Sequence, residues 1–307
     1  MIFTPHWSAR GRALAAVAGS LVIAGTAYVG LEAWSASDTV VHPERKPIDR
    51  SLSEFGISAE DVEFVTTDGL TLRGWFVPPS GANGAVVMTQ PGYGGNRTSV
   101  ITHTAMLVRH GYGVLTFDWR NLGESDGYQS TIGYEEQIDV AAATKWLLAR
   151  PDIDRSRIGA LGQSAGAAAM IVEAADDSTI RALVAETTFA SLQDMMDASI
   201  SQRTGLPAFP FAPLVTAFSE MRVHANISDL RPVDAIGRLA PRPVLLIRGG
   251  RDLWMPGYNA DLLFAAAGEP KELWDAPEAE HAKVKLTYPD EYERRVVGFF
   301  DKYLAGR

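Results

Sequence analysis

The sequence contains no cysteine among its 307 residues. This absence excludes zinc and iron–sulfur sites ligated by cysteine, haem attachment through cysteine, and catalysis by a thiolate. It does not identify a cellular compartment, because reduced and oxidising compartments both hold proteins without thiols. A covalent catalyst built from this chain must therefore use an oxygen nucleophile.

Positive charge is also scarce. The chain has 28 Lys and Arg residues against 37 Asp and Glu residues, which gives a net charge of −9. An acidic surface repels phosphate backbones and anionic lipid headgroups. We therefore predict no nucleic-acid partner, while the 46% hydrophobic content is that of an ordinary globular protein.

Charge is absent altogether from residues 13–31, directly after Arg10 and Arg12. A helix over this stretch is about 28 Å long, close to the roughly 30 Å of bilayer hydrocarbon. We interpret residues 1–37 as an N-terminal signal anchor or transmembrane segment. The two arginines would stay in the cytoplasm, which predicts a catalytic domain outside it. The alternative is secretion after signal cleavage near Ser35 and Ser37.

The remaining sequence predicts a linker and one domain. Residues 38–56 carry Pro43, Pro47 and many charged side chains, a composition typical of a solvated linker. Residues 57–307 alternate strand-like apolar runs with segments of helical period. The predicted strands are 62–66, 70–77, 85–89, 113–117, 157–161, 181–185, 244–248 and 272–274, and the predicted helices are 98–109, 135–150, 165–175, 258–267 and 290–304.

This alternation predicts an α/β protein with a doubly wound, mostly parallel sheet. Residues 187–239 interrupt the pattern, and we expect a small lid there. Pro207, Pro210 and Pro213 should prevent any long helix in it. Its apolar residues either pack on the sheet or line a substrate pocket.

Two stretches match the pattern G-x-S-x-G, at residues 123–127 and 162–166. A nucleophile elbow needs a strand directly before the serine and a helix directly after it. Only Ser164 has that context, between the predicted strand 157–161 and the predicted helix 165–175. We therefore predict Ser164 as the nucleophile and assign Ser125 to a structural turn.

A serine nucleophile needs a histidine base that is oriented by a carboxylate. In this strand–turn–helix setting the order along the chain is serine, acid, histidine. His281, on the loop after the last predicted strand, fits that order better than His224, which lies in the lid. Asp252 follows the strand 244–248 and is the predicted acid, with Glu186, at the end of the preceding strand, as the alternative.

Attack on a carbonyl also requires donors for the oxyanion. One predicted donor is the backbone N–H of Ala165, the residue after the nucleophile. The other is the backbone N–H of Tyr93, in the glycine-rich loop that follows the strand 85–89. This loop lacks the spacing and the lysine of a phosphate-binding loop.

No cofactor and no metal are predicted. His103 and His110 lie on one predicted helix, but no carboxylate pattern completes a site around them. We interpret both as part of a solvated helix face.

These motifs together resemble the α/β-hydrolase superfamily over residues 62–304, and within it the Bem46-like and ABHD13-like serine hydrolases. Residues 90–96 (QPGYGGN) resemble the family's H-G-x-x-G-N loop, and residues 118–127 (DWRNLGESDG) are similar to its D-x-R-x-x-G-x-S-x-G loop, which is structural in the family. The chain departs from the pattern at Gln90 and Pro91, where many members have an apolar residue and histidine.

The motifs and the resemblance imply a serine hydrolase that forms an acyl-enzyme on Ser164, and the N-terminal segment predicts that it is membrane-anchored. The expected substrate is a small molecule, a carboxylic ester or a related acyl compound. Peptidase and thioesterase activities use the same residues and stay open. A hypothesis of another class is a catalytically inactive scaffold that acts as a binding module.

Overall fold

The fold is built on one sheet. The computed structural model describes residues 8–80 and 84–305. The first seven residues of the predicted anchor and the last two of the predicted domain therefore lie outside the described residues. The strands are β1 (Glu60–Val65), β2 (Thr71–Val77), β3 (Val86–Gln90), β4 (Gly113–Phe117), β5 (Ile158–Gln163), β6 (Ile180–Glu186), β7 (Val244–Gly249) and β8 (Lys271–Ala276).

The strands lie in the order β1-β2-β4-β3-β5-β6-β7-β8. The pairs β1–β2 and β2–β4 are antiparallel, and all the other pairs are parallel. This arrangement confirms the predicted mostly parallel sheet, and every predicted strand overlaps an observed one.

Helices cover both faces of the sheet. The α-helices of the described residues, including the largely exposed α1 and the lid helices α5 and α6, are α1 (Ala9–Val41), α2 (Ile101–Arg109), α3 (Glu136–Ala149), α4 (Ala165–Asp176), α5 (Leu192–Thr204), α6 (Ala208–Val223), α7 (Pro232–Ala235), α8 (Tyr258–Ala266), α9 (Val284–Thr287) and α10 (Pro289–Phe300). Short 3₁₀ helices occupy Leu52–Phe55, Arg97–Val100, Ile227–Asp229 and Ile236–Leu239, and a π-helix follows α10 at Asp301–Ala305.

The core lies in two layers because successive side chains of a strand point to opposite faces. In β3, Val86 and Met88 join the apolar cluster beneath α3 and α4. Val87, between them, joins the cluster beneath α2 and α10. Every residue of β3, β4 and β5 is buried, which explains why these strands are continuous apolar runs in the sequence.

The predicted lid contains α5 and α6, and the expectation that prolines interrupt long helices there is met only in part. Helix α6 is broken at Phe209, directly before Pro210, but it continues regularly through Pro213 to Val223. Phe209 has extended backbone angles (φ −100°, ψ 133°), so the regular helix begins after it. Pro210 then falls in the first turn, where a backbone N–H has no partner within the helix.

Several apolar side chains of the lid are packed, whereas Phe209 and Met221 are exposed. Met195, Met196 and Phe211 are buried in one cluster together with Ala33 of α1 and Ala168 of α4. Of the two interpretations of the lid, packing therefore describes these side chains, although their neighbours are helices α1 and α4 as well as the sheet edge.

Helix α1 is the one helix in the described part of the chain that is long and apolar enough to cross a membrane. Its most apolar window has a mean hydropathy of 1.9 and no buried residue. The helix continues to Val41, four residues beyond the end of the predicted anchor at position 37. Over its last three turns it turns from an exposed helix into part of the domain, since Ala33, Ala36, Val40 and Val41 are buried.

The segment predicted as a solvated linker lies on the domain surface. The Asn96 side-chain amide donates to the carbonyls of Lys46 and Pro47 at 3.1 and 3.0 Å, and Leu52 is buried. Its charged side chains point outward, which is why composition alone suggested solvation, while its backbone is held by the domain.

We predict that the end of α1 stabilises the domain. A chain that begins at His42 should have a free energy of unfolding about 4 kcal/mol lower than one that begins at Glu32, because it loses the apolar burial of Ala33, Ala36, Val40 and Val41. Urea denaturation measures both values, and neither chain contains the uncharged stretch 13–31. Equal free energies of unfolding would contradict the prediction.

Candidate active site

Ser164 lies on a strained turn between β5 and α4. It has φ 52° and ψ −123°, a region that few residues other than glycine adopt. The glycines on either side allow this turn. A Cβ at Gly162 would lie 2.6 Å from the Ala167 backbone, and one at Gly166 would lie 2.3 Å from the Pro91 carbonyl oxygen. The sequence therefore needs glycine at both positions to aim the serine out of the sheet edge.

His281 and Asp252 lie beside Ser164. The His281 Nε2 atom is 3.1 Å from the Ser164 Oγ atom, and its Nδ1 atom is 2.7 Å from Asp252 Oδ2. The other carboxylate oxygen of Asp252, Oδ1, accepts from the backbone N–H groups of Trp254 and Met255 at 2.9 and 2.8 Å. The structure thus brings together the three residues that the sequence singled out.

The hydrogen bonds also fix the tautomer of the imidazole. A carboxylate is only an acceptor, so Nδ1 of His281 carries the proton that faces Asp252. The Nε2 atom then has a free lone pair toward the Ser164 hydroxyl. The Asp252 side chain is 1% exposed, whereas that of His281 is 23% exposed, so the imidazole reaches solvent and the carboxylate does not.

Glu186, the alternative acid, has other partners. Its Oε2 atom accepts from the Gln163 amide at 3.1 Å and from the Tyr292 hydroxyl at 2.8 Å. Complete burial raises the pKa of this carboxyl above its usual value, and these two hydrogen bonds partly oppose the shift. Among the hydrogen bonds of the described residues, none joins Glu186 to His281.

His103 lies next to this carboxyl, which corrects its assignment to a solvated helix face. Its Nε2 atom is 3.8 Å from Glu186 Oε2, and its ring packs edge-to-face on Tyr292 at 5.3 Å. Burial lowers the pKa of His103 to about 3. His110, which follows α2, is partly exposed and lies 2.8 Å from Glu293 Oε1. Residue spacing cannot tell these two environments apart, because α2 ends between them.

In the described ranges no group of three or more His, Asp or Glu side chains is arranged to hold a metal ion. His224, the other downstream histidine, follows α6 with φ 54°.

Ser125 forms hydrogen bonds within a structural turn. Its hydroxyl donates to the Asp118 carbonyl at 2.7 Å and accepts from the Arg73 N–H at 2.9 Å.

The loop after β3 lies against Ser164. A Cβ at Gly92 would be 2.9 Å from the Ser164 Cβ, so glycine is needed for this contact too. The Trp119 indole donates to the Pro91 carbonyl at 3.1 Å and holds the start of the loop. Tyr93, from this loop, and Ala165, the first residue of α4, line the same small cavity.

The hydroxyl of Tyr93 has a partner that no sequence pattern indicates. It donates to the carbonyl of Val40 at 2.7 Å and to that of Thr39 at 3.2 Å, both at the end of α1. No local pattern links positions separated by more than 50 residues, so only the fold reveals this contact.

Two open clefts adjoin these residues. One, of about 660 Å³, is lined by Leu253, Trp254 and His281 among others. The second, of about 430 Å³, is lined by Trp254 as well, together with Tyr93 and residues at the end of α1. Trp254 therefore lies between the imidazole and the helix.

The chain is similar to proteins of known family. The family model described as X-Pro dipeptidyl-peptidase (S15 family) matches residues 68–239. The Mycobacterium tuberculosis protein Rv2307c is 31% identical over 90% of this chain and 91% of its own length. The Arabidopsis thaliana alpha/beta hydrolase domain-containing protein WAV2 is 26% identical over 80% of this chain and 79% of its own.

Among solved structures, the Pyrococcus furiosus esterase Pf2001 is similar with a TM-score of 0.72 and 26% identity, over 86% of this chain and 98% of that one. The predicted superfamily and fold are confirmed, while the finer resemblance to Bem46-like enzymes stays a prediction. The match over residues 68–239, which contain the Ser164 turn, and the shared α/β architecture lead to one conclusion: the chain belongs to the S15 peptidase family of the α/β-hydrolase superfamily and is a hydrolase of that fold.

Proposed function

We propose that this hydrolase is a serine esterase that cleaves a carboxylic ester through an acyl-enzyme on Ser164. The observation that carries the proposal is the continuous chain of hydrogen-bonding contacts from Ser164 Oγ through His281 to Asp252, at 3.1 and 2.7 Å, on the strained turn after β5. A serine hydroxyl becomes nucleophilic when a positioned imidazole accepts its proton.

In the proposed reaction, His281 Nε2 takes the Ser164 proton as Oγ attacks the ester carbonyl. The resulting oxyanion is stabilised by the backbone N–H groups of Tyr93 and Ala165. Collapse breaks the bond to the alcohol, which leaves with the proton from His281. Water then attacks the acyl-enzyme by the same steps, and the carboxylic acid departs. Asp252 holds the imidazole in the required tautomer and stabilises its cationic form.

The similarity to the esterase Pf2001 over most of both chains favours an ester as substrate. The S15 family match keeps a peptide as the second candidate, and a thioester needs the same residues. An inactive binding module is the least favoured function, because a scaffold without catalysis has no chemical need for an aligned serine, histidine and carboxylate.

The first prediction concerns the nucleophile. A fluorophosphonate probe should label the wild-type chain and should not label Ser164→Ala, because only an activated serine attacks phosphorus. Ser125→Ala is the matched control, since it removes the other serine of a G-x-S-x-G stretch, and it should be labelled like the wild type. Labelling of Ser164→Ala at the wild-type level would refute the proposed function.

The second prediction concerns the acid. Asp252→Asn should lower kcat on an acetyl ester by on the order of 10⁴-fold, because the amide favours the wrong imidazole tautomer. Glu186→Gln should change kcat less than 10-fold, since glutamine matches the neutral carboxyl that burial favours. Steady-state kinetics of the two variants decide between the acids. A large loss in Glu186→Gln alone would make Glu186 the orienting carboxylate.

We also propose that α1 anchors the protein in a membrane with the hydrolase domain outside the cytoplasm. The support is its length, its exposed apolar surface and the position of Arg10 and Arg12 before its uncharged stretch. Secretion after cleavage is disfavoured by the burial of Ala36 and Ser37 in the domain, since this is where a peptidase would have to act.

The chain has no cysteine, so single introduced cysteines report this topology directly. In right-side-out vesicles, a membrane-impermeant maleimide should label Lys302→Cys and spare Ser8→Cys. Inside-out vesicles should give the opposite result. Labelling with the two positions exchanged would place the domain in the cytoplasm.

A further inference from the structure

We propose that the last turns of α1 form one wall of the acyl-binding cleft, and that the substrate is a long-chain ester whose chain enters from the bilayer in which α1 lies. This inference rests on the proposed esterase function and adds the class of substrate and its route. It is carried by the contacts between the end of α1 and the Ser164 site.

The first step is that no flexible segment separates the membrane helix from the domain. Helix α1 is continuous from Ala9 to Val41 and is exposed through its uncharged part. It becomes buried at Ala33 without a break. The domain is therefore held at a fixed height and orientation relative to the helix axis.

A cationic side chain of the lid clamps this junction. The Arg222 guanidinium lies 2.9 Å from Asp38 Oδ1 and donates to the Ser37 hydroxyl at 2.9 Å and to the Trp34 carbonyl at 3.1 Å. It also stacks over the Trp34 ring at 3.8 Å, and Phe218 meets the same ring edge-to-face. Charge-assisted bonds and ring contacts together fix α1 on α6.

The end of α1 also reaches the proposed oxyanion loop. Tyr93, whose backbone N–H we assign to the oxyanion, binds the Val40 carbonyl through its hydroxyl at 2.7 Å. At the next residue, the Ser130 N–H donates to the Val41 carbonyl at 2.8 Å. The Tyr93 side chain thus connects the end of α1 to the loop that carries the proposed oxyanion donor.

The cleft of about 430 Å³ lies at this contact. Its walls include Ala36, Thr39 and Val40 from α1, Tyr93 from the loop, and Gln202 and Trp254. Trp254 also lines the larger cleft that contains His281. An acyl chain in the cleft of about 430 Å³ therefore contacts Tyr93 and Trp254, which adjoin the catalytic residues, and runs along the end of the membrane helix.

The height of the cleft above the bilayer suits entry from the lipid. Trp34 is 42% exposed and follows Glu32, the first charged residue after the uncharged stretch, which places both at the membrane interface. At about 1.5 Å per residue, Val40 is roughly 9 Å further along the axis. The polar region of one leaflet is about 5–7 Å thick, so the cleft begins within this region at Ala36, about 3 Å beyond Trp34, and ends just above it at Val40.

The first experiment narrows the cleft in the full-length protein. Thr39→Trp should lower the ratio of kcat/KM for 4-methylumbelliferyl palmitate over that for the acetate at least 10-fold, because the exposed Thr39 side chain lines the cleft. Leu21→Trp, at a lipid-facing position of the same helix that is 69% exposed, is the matched control and should keep the wild-type ratio. Ala36→Leu gives a second test from the neighbouring turn. A wild-type ratio in both cleft variants overturns the inference.

The second experiment tests the route. Wild-type protein in phosphatidylcholine vesicles should hydrolyse palmitate ester carried in the same vesicles at least 10-fold faster than ester carried in separate vesicles. Equal rates overturn entry from the bilayer. Failure of the wild type to react with the fluorophosphonate or with either ester instead overturns the proposed function, so the two failures are distinguishable.

Discussion

The close approach of the turn at Ser164 to the loop after β3 is the constraint on which the site depends. Gly166 lets the Pro91 carbonyl come so near that a Cβ would lie 2.3 Å from it, and Gly92 does the same for the Ser164 side chain. These contacts set the serine, Tyr93 and Ala165 around one point. Because the carboxyl ends of parallel strands share one edge of the sheet, the loops that carry Asp252 and His281 meet there too.

The same edge receives the end of α1. Arg222 contacts the end of α1 from the lid, and Tyr93 contacts it from the loop after β3. Hydrogen bonds thus connect α1, the lid and the residue whose backbone N–H is the proposed oxyanion donor. This connection requires no conformational switch, since it follows from hydrogen bonds and buried side chains already present.

Much of this arrangement could be predicted because it depends on local order along the chain. The strand–serine–helix context separated Ser164 from Ser125, and strand order placed His281 and Asp252 at one edge. The packing of residues 33–56 on the domain could not be predicted. Their charged side chains are exposed and suggest a solvated linker, whereas their backbone accepts hydrogen bonds from the domain. The prolines of the lid are a poor guide to its helices because the effect of a proline depends on its position in the helix. Pro210 lies at the start of the regular part of α6, directly after the extended Phe209, and is tolerated there.

The two carboxylates at the sheet edge show why the hydrogen-bond partners have to be known before a role is assigned. Asp252 and Glu186 each follow a parallel strand, and sequence order admits either one. Asp252 accepts from two backbone N–H groups through one carboxylate oxygen and lies against the imidazole through the other. Glu186 accepts from Gln163 and Tyr292 and lies beside His103. Both carboxylates are buried, so their hydrogen-bond partners, rather than their depth or their place in the sequence, support the proposal that Asp252 orients the imidazole and that Glu186 is a structural group.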